Sequence, residues 1–586
     1  MLEKITKYFQ NNHQNFWIFI PFFLSICCFI NTLNYGFVYD DVYLVVKAAP
    51  VYKNWTFENI KLMFSSDMWE FATYQLDNVE QKYSLYYRPI LMFELMLISS
   101  YAGLTSWKWH LSCVLLHAVA SMLAYQLVKT SIEKTKIVDD KIQINRLSLF
   151  AAVVFAIHPA QSESVAWISA LGSSLVAIKI FACLLFYLHI RDFPIKSKSF
   201  IFGLSLSLLV FLLALLTKEF AVVIPIILFC YEVFLFGHKR IWNKNLLPTA
   251  ILEVAFFIII LIYSFLRFLF INKKNLALIN PDFPEINNLP FFVSIYTFPS
   301  VVFNYIKILI YPFNLIPFYP VYYVYQPKLS SFYFPLLCLL IIFTAILIIS
   351  RNNYTTRLGL IWLVIPILPV LDARLFVSEN LIHDRYLYFS LVGAGLLLCQ
   401  LIQWLNEKLK AKESLTFDNM KLKPSILLIV LVVFSIMVIT SIKQNNVWLN
   451  EREFWSATSE RFPDNCIANI QLARLSINNQ LYDQAINYYE QAKKACPNSL
   501  EVQDSLGFLY VTKKDFVLAE TYARRVIELS YTTDKQVTAY LNLGFILEQK
   551  ADKQQAIDCY QKALKLDPNS QKAKDSLNRL ERQVNK

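Results

Sequence analysis

Charge is what this chain has least of. Charged residues are 17% of 586 while hydrophobic residues are 56%, a balance that excludes a soluble enzyme and fits a polytopic membrane protein. Glycine is also scarce, at 10 residues; beside many Ile, Asn and Lys this reads as AT-rich coding bias, with little bearing on chemistry. Cysteine offers no redox or zinc framework. Cys27, Cys28, Cys113, Cys183, Cys230, Cys338 and Cys399 fall in apolar runs, where a thiol behaves as a small hydrophobe, and Cys466, Cys496 and Cys559 lie in the tail without CxxC or metal spacing. The net charge of +12 does not indicate nucleic acid, because the basic residues lie in short loops between apolar runs and in a polar tail. Lys4 and Lys7 precede an apolar run longer than a secretory h-region, with no small-residue cleavage site after it, so a retained membrane helix is expected there.

What is present is a series of apolar runs with a few charges at their ends. Residues 16–33 are about long enough to cross a bilayer, and just beyond them stands Tyr39-Asp40-Asp41-Val42-Tyr43. Adjacent carboxylates at a membrane exit are functional candidates. Residues 34–87 form a long loop dense in aromatics, among them Trp55, Phe57, Trp69, Tyr74, Tyr83, Tyr86 and Tyr87, expected to lie on the membrane surface as in-plane helices. The loop ends at Tyr87-Arg88-Pro89, with Pro89 suited to a helix's first turn. Arg88 either grips a lipid phosphate or snorkels to headgroups.

Further spans are expected near residues 107–128, 147–157, 171–189, 200–216, 220–236, 247–270, 334–349, 358–371, 386–405 and 425–442, about eleven in all. Residues 291–311 are apolar enough to cross. Counting them as a span, however, would put the Lys-rich 407–423 loop outside, against the positive-inside bias, so a re-entrant or interfacial segment is expected. The Pro-broken stretch 312–327 reads as an interfacial loop. With this parity 129–146, 237–240, Arg351 and Arg357 are cytoplasmic. Asp40, His158, Glu163, Lys218, Glu219, residues 372–385 and everything after 442 share the other face.

From about residue 464 a repeat appears. Ala473, Ala485, Tyr489, Ala492 and Pro497 recur one 34-residue period later as Gly507, Ala519, Ala523 and Val526, the terminal Pro being lost. A third unit has Gly544, Ala556, Tyr560, Ala563 and Pro568, displaced by extra residues around 531–536. Small residues at these offsets let two antiparallel helices approach, which is the tetratricopeptide-repeat (TPR) pattern. The charged helix 571–583 reads as a solvating cap. The expected domains are therefore 1–447 in the membrane, a linker at 448–463, and a soluble TPR solenoid at 464–586.

A multi-span half with an acidic pair in its first outer loop, joined to a TPR array, resembles the TMTC family of transmembrane and tetratricopeptide-repeat O-mannosyltransferases, within the GT-C superfamily of glycosyltransferases. The strings that carry the resemblance are Tyr39-Asp40-Asp41, Tyr87-Arg88-Pro89-Ile90, Trp109-His110-Leu111 to Leu116-His117, His158-Pro159 through Glu163-Ser164-Val165-Ala166, Lys218-Glu219 and Arg385-Tyr386-Leu387-Tyr388, with Trp448, Phe454 and Trp455 before Pro463. The chain departs from the family where Ala170-Leu171-Gly172-Ser173-Ser174 replaces a charged segment after His-Pro, and where Asp384 replaces a Glu.

The resemblance implies an all-helical GT-C bundle and transfer of a sugar from a polyprenyl phosphate, with inversion in one displacement. Such a reaction needs a base for the acceptor hydroxyl and positive charge for the departing phosphate. Asp40 is the expected base, with Asp41 positioning it or the acceptor; neighbouring residues of an extended segment point opposite ways, so the two roles are open to exchange. Arg385, then Arg88 and Lys218, are the expected phosphate ligands. His158, Glu163 and Glu219 are candidates to orient donor or acceptor, with a helix cap as the alternative for His158 and a local ion pair for Lys218-Glu219. The expected partners are a polyprenyl-phosphate sugar, membrane lipid, and an acceptor polypeptide held by the repeats, with no nucleic acid. Beyond the donor no cofactor is called for, and a divalent metal is left undecided. Two other readings stay open, a transferase acting on a lipid or polysaccharide and a non-catalytic TPR scaffold. The short repeat array favours a bacterial inner membrane with a periplasmic tail over the endoplasmic reticulum.

Overall fold

The structure, a computed structural model, describes residues 16–74, 86–136, 138, 140–194, 196–236, 247–271, 289–350, 353–376, 380–410, 424–530 and 532–584. Tyr83, the charged stretches 237–240 and 411–423, and Arg351 lie outside them. The described residues form helices and loops without a strand, and the chain divides into two units, 1–451 and 452–586.

In the first unit six helices are long and apolar enough to cross a membrane: Ser106–Thr135, Ile168–Ile190, Lys198–Thr217, Glu253–Ile271, Phe291–Ile310 and Pro424–Trp448. A bent pair, Lys141–Ile157 with Pro159–Ala166, makes a seventh if it is one span, and five apolar helices such as Phe19–Asn34 and Ser390–Asn406 are shorter. Two stretches bear on the expected spans. Phe291–Ile310, expected as a re-entrant or interfacial segment, is one continuous helix despite Pro299 within it, with the length and composition of a span. The 220–236 run is not one regular helix but a 3₁₀ turn Glu219–Val223, an α-helix Ile224–Cys230 and a π turn Tyr231–Leu235. Pro225, with no N–H to give, sits where the first pattern passes into the second.

The aromatic loop folds as short helices, Val42–Lys47, Ala49–Lys53, Phe57–Ser65 and Met68–Thr73, followed by Pro89–Ala102. Leu44, Met63, Phe71, Met92, Trp109 and Leu171 pack together beneath this layer, while Trp55, Phe57 and Tyr74 stay exposed. An apolar body with exposed aromatics suits a membrane interface.

Polar side chains gather at the ends of the long helices. The last of these, Pro424–Asn445, closes the bundle through Asn445. Its amide donates to the Cys28 carbonyl (2.9 Å) and Asn31 (2.9 Å), and its oxygen accepts from Ser162 (2.8 Å). At the far end of Gly172–Ile190, Arg191 donates to Glu232 from Nε (3.1 Å) and Nη2 (3.1 Å). Between these ends, Tyr354–Val364 meets Ser390–Lys410 through Gly359 and Gly393 at nearly backbone-to-backbone distance, the usual way membrane helices approach closely.

The second unit contains the antiparallel pairs Cys466–Asn478 with Tyr482–Ala495, Leu500–Thr512 with Phe516–Leu529, and Thr533–Gln549 with Lys553–Leu566, then Gln571–Val584. The period is visible in the backbone: Gln480, Lys514 and Ala551, at equivalent positions, each adopt a left-handed φ near +60° just past the first helix of their pair, the conformation that closes a helix C-terminus. One expectation about cysteine is corrected here. Cys466 and Cys496 form a disulfide with Cα atoms 6.0 Å apart, because antiparallel packing brings the start of one helix beside the end of the next.

A Cβ at Gly393 would collide with the Gly359 carbonyl and the Leu363 amide nitrogen. Gly393→Ala is therefore expected to destabilise the first unit by about 1–3 kcal/mol, read as a lower thermal-unfolding midpoint of the purified protein in detergent.

Candidate functional site

The acidic pair stands on a sharp turn after the first helix. The Gly36 amide donates to the Leu449 carbonyl (3.0 Å), and the Tyr39 amide donates to Glu451 (2.6 Å). Tyr39 has φ +56°, a left-handed conformation that costs a non-glycine residue roughly 1 kcal/mol. Its ring lies 6.1 Å from that of Trp167 and edge-on to Phe318. The turn separates the two carboxylates. Asp41 is buried and accepts three hydrogen bonds, from the Ser169 amide (2.7 Å), the Ser169 hydroxyl (2.5 Å) and the Val38 amide (3.1 Å). Burial pushes its carboxyl up to about 7 against the pull of those donors. Asp40 is half-buried.

A second group forms where a membrane helix breaks. Lys141–Ile157 stops at His158 because Pro159 follows, and the next helical segment leaves at 54°. His158 Nδ1 accepts from the Ala160 amide (3.2 Å) and its Nε2 faces the Leu309 carbonyl at 3.3 Å. Both ring nitrogens are thus engaged with backbone, matching the cap alternative. Five residues on, Glu163 is buried and binds Arg385 twice, through its backbone amide (2.9 Å) and through its guanidinium. The His383 ring nitrogen is 3.3 Å from the same carboxylate. The Arg385 guanidinium lies 5.2 Å from the centre of the Trp167 ring, and Trp167 stacks on Trp448. Beside it the Tyr319 hydroxyl donates to Asp384 (2.6 Å), whose carboxyl is raised well above the usual range by burial and by Glu163.

The third group joins the surface layer to the end of Lys198–Thr217. Arg88 forks onto Glu219, Nε to Oε2 at 2.9 Å and Nη2 to Oε1 at 2.5 Å. Burial alone would raise the Glu219 carboxyl, but Arg88 holds it near 2. Lys218 does not pair with its neighbour. Its amine donates to the Ser173 hydroxyl (2.9 Å), and burial, with the charges of Arg88 and Arg385, brings it down to about 7.

The structure therefore gathers Arg88, Arg385, Glu219 and Glu163 within electrostatic range of Lys218 and ties Asp41 to this group through the Trp167-Ile168-Ser169 segment. His158 serves the helix ends. The expected alternative of a local Lys218-Glu219 ion pair is not what forms: each residue has a distant partner. Sequence reasoning missed Ser169, Ser173 and Ser174, the last of which hydrogen-bonds the Tyr388 hydroxyl (3.0 Å). The run of hydroxyls replacing the charged segment was the available signal. Among the described residues no three His, Cys, Asp or Glu side chains are arranged to hold a metal ion.

The tetratricopeptide repeat family matches residues 468–499 and 537–570. Protein O-mannosyl-transferase TMTC3 of Homo sapiens aligns with 95% of this chain at 21% identity, over 61% of its own length. The resemblance to the TMTC proteins runs along nearly the whole chain. TMTC2 of Homo sapiens is 27% identical over 229 residues, 39% of this chain and 25% of that protein. The chain spans about three fifths of the length of TMTC3. Among solved structures, the oligosaccharyltransferase AglB of Archaeoglobus fulgidus, in complex with an inhibitory peptide and a dolichol-phosphate, overlaps 78% of this chain and 59% of that one, at 15% identity and a TM-score of 0.42.

Removing one partner of a buried ion pair strands the other. Arg385→Ala is expected to cost about 3–5 kcal/mol of stability, because Glu163 keeps only 3% of its side chain exposed. Adding Glu163→Gln should recover much of the loss, which a double-mutant cycle of thermal-unfolding midpoints would measure.

Proposed function

We propose that this integral membrane protein transfers a sugar from a polyprenyl phosphate to a hydroxyl of a polypeptide, in the manner of protein O-mannosylation, on the extracytoplasmic face. The observation that carries this reading is the charge balance of the cluster. Arg88 and Arg385 each have a carboxylate partner, whereas the Lys218 amine hydrogen-bonds to a serine. If Lys218 is protonated, that leaves one positive charge. A polyprenyl-phosphate sugar is a phosphodiester with one negative charge, and its leaving group gains a second as the bond to the sugar breaks. A buried ammonium fixed beside that oxygen interacts more strongly with the phosphate as its charge grows, and so stabilises the transition state more than the ground state. The names of the similar proteins support mannose as the sugar.

In this mechanism Asp40 accepts the proton of the acceptor hydroxyl. The acceptor oxygen bonds to the sugar's anomeric carbon as the bond to the phosphate oxygen breaks on the opposite face, inverting the centre. Polyprenyl phosphate leaves with the electron pair, facing Lys218, Arg385 and Arg88. Glu163 and Glu219 fix the two guanidinium groups, and Asp41, with its lone pairs occupied, positions the turn that carries Asp40. The repeats hold the acceptor polypeptide in extended form. A bacterial inner membrane with a periplasmic tail is the proposed setting, the endoplasmic reticulum being the alternative.

Mass analysis of the polyprenyl-phosphate sugar that copurifies identifies the donor. With that donor, Asp40→Asn is expected to lower transfer by about 10²-fold or more while the lipid still copurifies; unchanged transfer by the folded variant removes Asp40 as the base.

The Lys218 shift gives a pH dependence. Its lowered value means the amine is charged below about 7 and neutral above it, so kcat/KM for the donor should fall as pH rises through about 7 towards 9. Lys218→Arg, which stays charged across that range, should flatten this limb of the profile.

A further inference from the structure

Cys466 and Cys496 belong to no part of the chemistry above. Cys466 is the first residue of helix Cys466–Asn478, and Cys496 caps the end of Tyr482–Ala495. Their Cα atoms are 6.0 Å apart and their sulfurs are joined, a separation within the range of protein disulfides. Both are half-buried at the edge of the first helix pair, open enough for a protein oxidant to reach.

The repeat supplies an internal control. One 34-residue period later the same two positions hold Leu500 and Ser530, and in the third unit they hold Val537 and Asp567. Cysteine thus occupies both contacting positions in one unit and neither in the others. The exchange also gives something up. Asp567 opens the string Asp567-Pro568-Asn569-Ser570, the counterpart of Cys496-Pro497-Asn498-Ser499, and its carboxylate accepts from the Asn569 amide at 2.9 Å. The backbone turn is otherwise the same, with the Ser570 amide on the Asp567 carbonyl and the Ser499 amide on the Cys496 carbonyl, each at 3.1 Å. A thiol at position 496 forfeits the carboxylate's turn bond, and a covalent bond across the helix pair compensates for it. Cys559, the tail's other cysteine, is buried in its own helix pair.

We propose that Cys466 and Cys496 are a structural disulfide, formed after the tail has crossed the membrane by exchange with a dithiol oxidase of the extracytoplasmic compartment, and that it clamps the first repeat. One thiolate attacks the oxidase's disulfide to give a mixed disulfide, and the second thiolate displaces the oxidase as its dithiol. Two protons leave the cysteines, and two electrons pass to the oxidase. Such bonds persist outside the reducing cytosol, so the clamp also reports the side on which the tail resides. The inference rests on the proposed extracytoplasmic tail and is independent of the transfer chemistry. Cross-linking residues 30 apart in sequence restricts the unfolded repeat and opposes its opening.

The test counts thiols in the full-length protein in its own membrane. Cells are lysed in denaturant with excess N-ethylmaleimide, then reduced, then treated with a polyethylene-glycol maleimide. Two additions per chain are expected, none in Cys466→Ser or Cys496→Ser, and two in Cys559→Ser; no addition to the wild type overturns the disulfide. In Cys466→Ser the freed Cys496 thiol should react in intact cells or spheroplasts with a membrane-impermeant maleimide. Labelling only after permeabilisation overturns the outer location, even where the thiol count is two. Labelling from outside with a wild-type count of zero sinks the disulfide and leaves the sidedness standing. In limited proteolysis, reduction should speed cleavage within residues 466–496 by about tenfold or more, and an unchanged rate removes the clamp.

Discussion

The cost of leaving a charge unpaired in a low-dielectric interior shapes this protein more than any other constraint. Glu163 follows a helix broken by Pro159, and as a lone carboxylate there it would be very unfavourable. Arg385 resolves this twice over, with its guanidinium and its own backbone amide, so that the pair fixes the Asp384–Leu387 turn to the broken helix. Arg88 and Glu219 do the same between the surface layer and the bundle. Each pair joins segments far apart in sequence. The pairing that makes the fold tolerable is therefore also what assembles the cluster.

Hydroxyls do the rest without adding charge. Ser169 holds Asp41, Ser173 holds Lys218, and Ser174 holds Tyr388, which also bonds His117 at 2.8 Å. These serines come from one short stretch running into helix Gly172–Ile190. Had that stretch carried an acidic residue at 173, Lys218 would have been neutralised like the two arginines. With a serine it is oriented without an ion-pair partner, and burial first, then the two neighbouring guanidinium charges, depress the proton affinity of its amine against the pull of Glu219 and Glu163.

Much of this architecture was legible in the sequence, because apolar run length and the 34-residue repeat reflect physical periods that few alternative folds satisfy. What was not legible depended on direction and long-range pairing. Lys218 and Glu219 are adjacent and opposite in charge, yet the chain leaves Lys198–Thr217 in extended form at Lys218, and the two side chains find partners 45 and 131 residues away. The run at 220–236 has the composition of a span, but Pro225 and the change of helix type lie below the resolution of a hydropathy argument. Positive-inside bias weighs loops and therefore could not show that residues 291–310 form one helix that continues through Pro299. The two cysteines carried no spacing signature because a disulfide needs only spatial proximity, which helix pairing supplied.

The acidic pair shows how structure resolves what sequence leaves symmetrical. As neighbours, Asp40 and Asp41 are chemically interchangeable, and either can serve as a base. The left-handed turn at Tyr39 breaks the symmetry by sending Asp41 inward, where one oxygen meets both donors of Ser169 and the other meets the Val38 amide. A carboxylate so occupied has little capacity to receive another proton donor without losing a bond that anchors its own loop. The residue next to it, Asp40, lies half-buried on the same turn. Two carboxylates adjacent in sequence thus stand in different surroundings, Asp41 buried and held by three donors, Asp40 half-buried on the turn beside it.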